Sequence, residues 1–150
     1  MQLYNTLSAE ERAQLIDEAG EQRLTLSFYA YAKIEDPKEF RNNLFIAWNA
    51  LNALGRIYVA NEGINAQMSI PADNFEAFKE TLEVYDFMQG IRLNVAVDQD
   101  DHSFLKLTIK VRHKIVADGL NDASFDVTNK GIHLKAQEFN NLLEDPNTIV

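Results

Sequence analysis

Three tyrosines and six cations fall at alternating positions of short β-type runs: Tyr29, Tyr31 and Tyr58, with Lys33, Arg56, Arg92, Lys106, Lys110 and Arg112. Rings on a sheet surface stack unpaired bases, and cations beside them meet phosphates, which is the chemistry of single-stranded RNA recognition. The full set of outward positions adds Thr25, Ser27, Asn65, Gln67, Ser69, Asn94 and Thr108. Six of these sixteen are basic and none is acidic, in a chain with 23 acids, 14 bases and a net charge of −9. The surplus acid is expected on helices, turns and a linker. An acidic average argues against non-specific nucleic-acid binding by the whole molecule, but not against one local basic face. Two other readings stay open. A half-exposed antiparallel sheet also shows polar outward residues, with Tyr and Thr as strand formers and edge lysines that discourage pairing. The other is a face covered by another domain.

Other chemistry has less support. His102, His113 and His133 are scattered without metal-ligand spacing. Asp98, Asp100 and Asp101 lack the glycine and terminal glutamate of a calcium loop and read as a solvated turn. Glu62 falls in a tight turn, where a carboxylate caps backbone N–H groups more readily than it acts as a general acid or base. Asn65 either reads a base edge or bonds across its own hairpin. Trp48 reads as core. With no cysteine, the chain holds no disulfide, no cysteine-ligated zinc and no thiolate nucleophile, which fits a cytosolic protein. The first fourteen residues lack the basic end and apolar run of a signal peptide, and no apolar stretch approaches membrane-spanning length.

The elements that must position these residues centre on Gly55–Pro71. Ile57 and Val59 alternate with Arg56 and Tyr58; after the turn, Ile64, Ala66, Met68 and Ile70 alternate with Asn65, Gln67 and Ser69. The pattern predicts a hairpin with a three-residue turn, Asn61-Glu62-Gly63, and Gly63 in the left-handed conformation. Before it, Ser8 and Glu11 form a capping box for a helix over Ala9–Ala19 that stops at Gly20. A strand is expected over Leu24–Lys33. Asp36-Pro37 starts a second helix, with Phe40, Leu44, Ala47, Trp48, Leu51 and Leu54 on one side and Gly55 as its end. Asp73 and Glu76 predict a capped third helix with Phe75, Phe78 and Leu82 inward, ending by Gly90. Ile91–Val97 is expected as a strand with Ile91, Leu93, Val95 and Val97 inward. Phe104–Arg112 is expected as a last strand with Leu105, Leu107, Ile109 and Val111 inward.

The order is βαββαβ, with a helix before and an extra strand after. That is the α+β, ferredoxin-like pattern: an antiparallel sheet with two helices on one face and the other face left open. This domain is expected over residues 1–119, with a polar linker over 120–134. Lys135–Glu144 then reads as an amphipathic helix carrying Phe139, Leu142 and Leu143, and Thr148-Ile149-Val150 as a strand opening. The expectation is a chain cut from a longer protein just as another domain, here residues 135–150, begins.

Three segments carry a resemblance: SFYAYAKIEDP, GRIYVANEGINAQMSIP and LKLTIKVRHKIVADGL. They resemble the N-terminal domain of the rhodanese-containing tRNA uridine hydroxylases, in which G-x-[IV]-x-x-A-x-E-G-I-N is a strong signature. The matching residues are Gly55, Ala60, Glu62, Gly63, Ile64 and Asn65. The tail KAQEFNNLLEDPNTIV looks like the start of a rhodanese domain. The resemblance implies hydroxylation at C5 of the wobble uridine of certain tRNAs, with molecular oxygen as co-substrate and a catalytic cysteine in the rhodanese domain. It places no catalytic residue, metal or other cofactor in this stretch, which by itself is expected to be inactive. The implied partners are the anticodon region of tRNA and the C-terminal rhodanese domain of the same chain, with no membrane, in the cytoplasm. A purely structural module that packs on the rhodanese domain is the alternative. An acylphosphatase-like enzyme would need a phosphate-cradling loop with an arginine after the first strand; Ile34-Glu35-Asp36-Pro37 stands there instead and is acidic.

Overall fold

The computed structural model describes residues 6–115, 126, 128, 129 and 131–149. Helix α1 (Ala9–Ala19) starts on the predicted capping box. The Ser8 hydroxyl accepts from the Glu11 N–H, and the Glu11 carboxylate accepts from the Ser8 N–H at 2.8 Å. Gly20 closes it with φ +60°. After strand β1 (Arg23–Tyr31), helix α2 (Pro37–Ala50) begins where expected, with the Asp36 carboxylate accepting from the N–H groups of Lys38 and Glu39.

Helix α2 ends earlier than the spacing predicts. Gly55 does not stop it; the chain turns at Asn52, whose φ is +55°. Asn tolerates this left-handed conformation, so no glycine is needed there. Gly55 lies inside strand β2 (Leu54–Ala60), where a Cβ would stand 2.6 Å from the Met68 Cβ on strand β3 (Gly63–Pro71). Helix α3 (Phe75–Glu83) follows a short 3-10 turn over Ala72–Asn74, and the Asp73–Glu76 capping box does not form. The Asn74 carboxamide instead donates to the Leu51 carbonyl at 3.0 Å, tying the start of α3 to the end of α2. Gly90 lies seven residues beyond α3, after a second 3-10 turn over Asp86–Met88.

Strand β4 shrinks to Asn94–Val95. Its ladder with β1 continues only as far as the Ala96 N–H, which donates to the Thr25 carbonyl at 2.8 Å. The Gln99 carboxamide supplies the next rung, accepting from the Thr25 N–H at 2.6 Å and donating to the Ala96 carbonyl. Val95 ends this two-residue strand at the sheet edge and Val97 lies beyond it, so both, expected inside, are exposed; Val97 is 97% accessible. Strand β5 covers Leu107–Val111, with Leu107 and Ile109 buried and Val111 exposed at its end.

The strand order is β4-β1-β3-β2-β5. The first four strands pair antiparallel as the βαββαβ pattern requires, and β5 joins β2 in parallel, making the five-stranded sheet mixed. The fold is α+β and ferredoxin-like. On the covered face Phe28, Trp48 and Phe78 form an aromatic triad. Trp48 meets Phe28 edge-on at 6.3 Å, and its Nε1 donates to the Thr81 hydroxyl at 2.9 Å. Burial of these rings, each worth roughly 1.5–3 kcal/mol, fixes the sheet beneath the helices. Helix α4 (Ala136–Leu143) stands further along the chain, with Phe139, Leu142 and Leu143 exposed. Residues 116–125, 127, 130 and 150 lie outside the described residues, and with them about half of the expected linker and part of the expected final strand.

Candidate nucleic-acid interface

Register, not sequence proximity, assembles the open face. Tyr29 on β1 pairs with Asn65 on β3, Asn65 with Tyr58 on β2, and Tyr58 with Lys110 on β5. Cross-strand partners point to the same side, so these four side chains form one row across the sheet. The next row reads Asn94, Ser27, Gln67, Arg56, Thr108. Tyr31, opposite Gly63 and then Ala60, opens a third row.

Tyr29 and Tyr31 meet edge to face, with centroids 6.0 Å apart and planes at 69°, and Tyr29 is half exposed. Arg112 lies just past β5 and its guanidinium carbon sits 5.4 Å from the centre of the Tyr58 ring, so one face of Tyr58 carries a cation. Two open hollows flank Asn65. One, of about 240 Å³, is lined by Tyr29, Tyr31, Asn65 and Ile115. The other, of about 250 Å³, is lined by Arg56, Tyr58, Asn65 and Gln67.

Other expected members stand apart. Lys33, two residues past β1, forms an ion pair with Asp126 at 3.4 Å. The Asp126 carboxyl is held below its usual range, first by the Thr128 hydroxyl, then by the Thr128 N–H and by Lys33. Arg92 and Lys106 are exposed but fall outside β4 and β5. Ser69 is fully buried because Arg23 covers it.

Arg23 itself escaped the sequence reading. It shares the open-face alternation of β1, yet its guanidinium is buried. Nε donates to the Ser69 hydroxyl at 2.8 Å, and one terminal nitrogen donates to the carbonyls of Asn52 and Ser69. Glu21 lies 4.0 Å away. Burial lowers the Arg23 pKa, which Glu21 and Asp101 partly oppose. The one signal in the sequence is that Arg23 precedes Leu24 in the same alternation; nothing local announces its partners.

The signature residues divide by role. Gly55 and Gly63 permit close backbone approach, while Ala60 and Ile64 are fully buried. Asn61 and Glu62 form a two-residue turn between the paired Ala60 and Gly63, rather than the expected three-residue one. Gly63 has φ +144°, an extended conformation with positive φ rather than the left-handed helical one, and it is already part of β3. The Asn61 carboxamide donates to the Ile34 carbonyl at 2.9 Å, while the Asn61 and Glu62 carbonyls accept from Ile34 and Ala32. The Glu62 carboxylate caps a backbone N–H, as its setting suggested, but a distant one: Ile115, at 2.6 Å. Asn65 is the signature residue that faces the open side, and its carboxamide has no hydrogen-bond partner among the described residues.

Residues 23–115 match the family model described as the UPF0176 acylphosphatase like domain. The chain belongs to that family. Its relatives within and beyond the UPF0176 core include three curated proteins named tRNA uridine(34) hydroxylase. That of Leptospira interrogans is 47% identical over 148 residues, spanning 99% of this chain and 40% of the relative. That of Cronobacter sakazakii is 50% identical over 151 residues, and that of Escherichia coli K12 is 46% identical over 149; each match spans 98% of this chain and 42% of the relative. The UPF0176 chain therefore spans about two fifths of the length of the curated relatives it matches. Among the described residues, no helix is long and apolar enough to cross a membrane.

Proposed function

We propose that this UPF0176 domain is the RNA-holding part of a cytoplasmic tRNA uridine(34) hydroxylase. Its open face would hold the anticodon arm while a rhodanese domain later in the same chain performs the oxygen-dependent chemistry. The reading assigns no catalytic residue to residues 1–150, so this stretch alone leaves uridine unmodified. The observation that supports it most is the row Tyr29–Asn65–Tyr58–Lys110, with Arg112 over Tyr58. Rings to stack on and cations beside them occupy one uncovered surface of an otherwise acidic chain. The names of the relatives supply the substrate class.

The rival reading, a sheet face that packs on a second domain without RNA contact, meets a polar and cationic surface. Exposed apolar side chains gather elsewhere, as Phe139, Leu142 and Leu143 on α4. The deciding measurement is tRNA affinity of the whole enzyme as a function of salt. Lys110→Glu combined with Arg112→Glu should weaken binding at least tenfold and lower the slope of log affinity against log salt by about 2. Unchanged affinity and slope would remove the face from RNA binding.

A further inference from the structure

The two hollows that share Asn65 differ in chemistry. The first has no charged residue among its lining side chains: two phenol rings, the Asn65 carboxamide and the half-buried Ile115. The second contains Arg56 and lies beside Lys110 and Arg112 through Tyr58. A neutral, ring-lined hollow suits a flat group that hydrogen-bonds at its edge; a cationic one suits a phosphate. Where two tyrosines meet edge to face, the ring presenting its edge keeps its own faces free for stacking. The free carboxamide offers one acceptor and an N–H₂ donor side by side, which matches the Watson–Crick edge of a base only when that base is unpaired.

The far wall of the hollow is held in place from the hairpin turn. Ile115 lies beyond β5 and is fastened there by the Glu62 carboxylate. The turn that carries Glu62 is itself tied to residues 32 and 34. We propose that the Tyr29–Tyr31–Asn65–Ile115 hollow seats one unpaired nucleobase, with the adjoining phosphate on the Arg56 side of Asn65, and that Glu62 is a positioning residue that holds the Ile115 wall. This rests on the reading of the open face as an RNA surface and adds a single-nucleotide site to it.

The test uses the whole enzyme and an anticodon stem-loop RNA in which each loop nucleotide in turn is made abasic. In the native protein one abasic position should lower affinity about tenfold, the loss of one stacked base. That contrast should shrink in Asn65→Ala and in Asn65→Asp, the latter keeping the shape but losing the donor, with only the stacking on the rings left. Glu62→Ala should shrink the same contrast, and Glu62→Gln, which retains an acceptor for the Ile115 N–H, should restore it. If the abasic pattern is the same in native protein and in both Asn65 variants, the seat is overturned while the RNA face stands. If Glu62→Ala leaves the contrast intact, the positioning role falls. Failure of the Lys110→Glu, Arg112→Glu pair to alter affinity would instead sink the RNA face itself.

Discussion

Gly63 lies so close against Ala30 of the neighbouring strand that a Cβ on it would overlap the Ala30 carbonyl oxygen. Its φ of +144° is also one that residues with side chains rarely adopt. Gly63→Ala therefore combines backbone strain with a clash against main chain that cannot rotate away. A loss of about 2–5 kcal/mol is expected in urea unfolding. Gly20→Ala is the control. Gly20 has φ +60° but open space where the Cβ would go, so only the left-handed cost of about 1–2 kcal/mol applies. Equal losses at the two sites would contradict the close approach of β1 and β3.

What the sequence discloses tracks how local each cause is. The starts of α1 and α2 are legible because Ser8, Glu11 and Asp36 bond to N–H groups within three residues. Alternation also discloses the faces of β1, β2 and β3. Gly55 misleads because a glycine that stops a helix and one that lets two strands approach look alike in one dimension. The extent of β4 is hidden because the Gln99 side chain replaces a backbone rung. In the site, ring and cation types are legible, but their neighbours are not. Glu62 finds its partner 53 residues away, and Arg23 is buried by Ser69 and Asn52, from different elements.

Arg23 carries a second stability prediction. Its guanidinium satisfies a buried hydroxyl and two carbonyls, so Arg23→Met removes donors without removing the need for them. A loss of about 3 kcal/mol is expected, from hydrogen bonds to a charged group and the acceptors left unpaired. Glu21→Gln should cost under about 1 kcal/mol, since that carboxylate is 4.0 Å away and 42% exposed. Denaturant midpoints of the two variants check both numbers. A Glu21 effect as large as that of Arg23 would mean that the ion pair, not the hydrogen bonds, holds this end of the sheet.

Helix α1 should loosen in acid. The N–H and hydroxyl of Ser8 hold the Glu11 carboxyl below its usual value. A folded pKa below the unfolded one means that the contribution is complete above the unfolded value and is lost as pH falls through the folded value. An NMR titration should therefore show the Ser8 and Glu11 amide resonances moving together toward random-coil positions at low pH. Glu11→Gln should abolish that titration while leaving the amides of β1 unaffected. Amides that titrate equally in both proteins would assign the transition to another carboxylate.

The loop between β1 and α2 bears on whether this fold could also cradle a phosphate. The N-terminus of a helix binds anions through free N–H groups. Here the Asp36 carboxylate already accepts from Lys38 and Glu39, at 3.1 and 3.0 Å, and places its own negative charge where a phosphate would sit. Ile34, just before it, is held to Asn61 by two hydrogen bonds. Inorganic phosphate should therefore leave the Tm of the native domain unchanged, and acyl phosphates should not be hydrolysed. Asp36→Ala should lower stability by about 0.5–2 kcal/mol through loss of the cap. A phosphate-dependent rise in the Tm of the native protein would show that anion and carboxylate do not compete for these donors, and would return the hydrolase reading to contention.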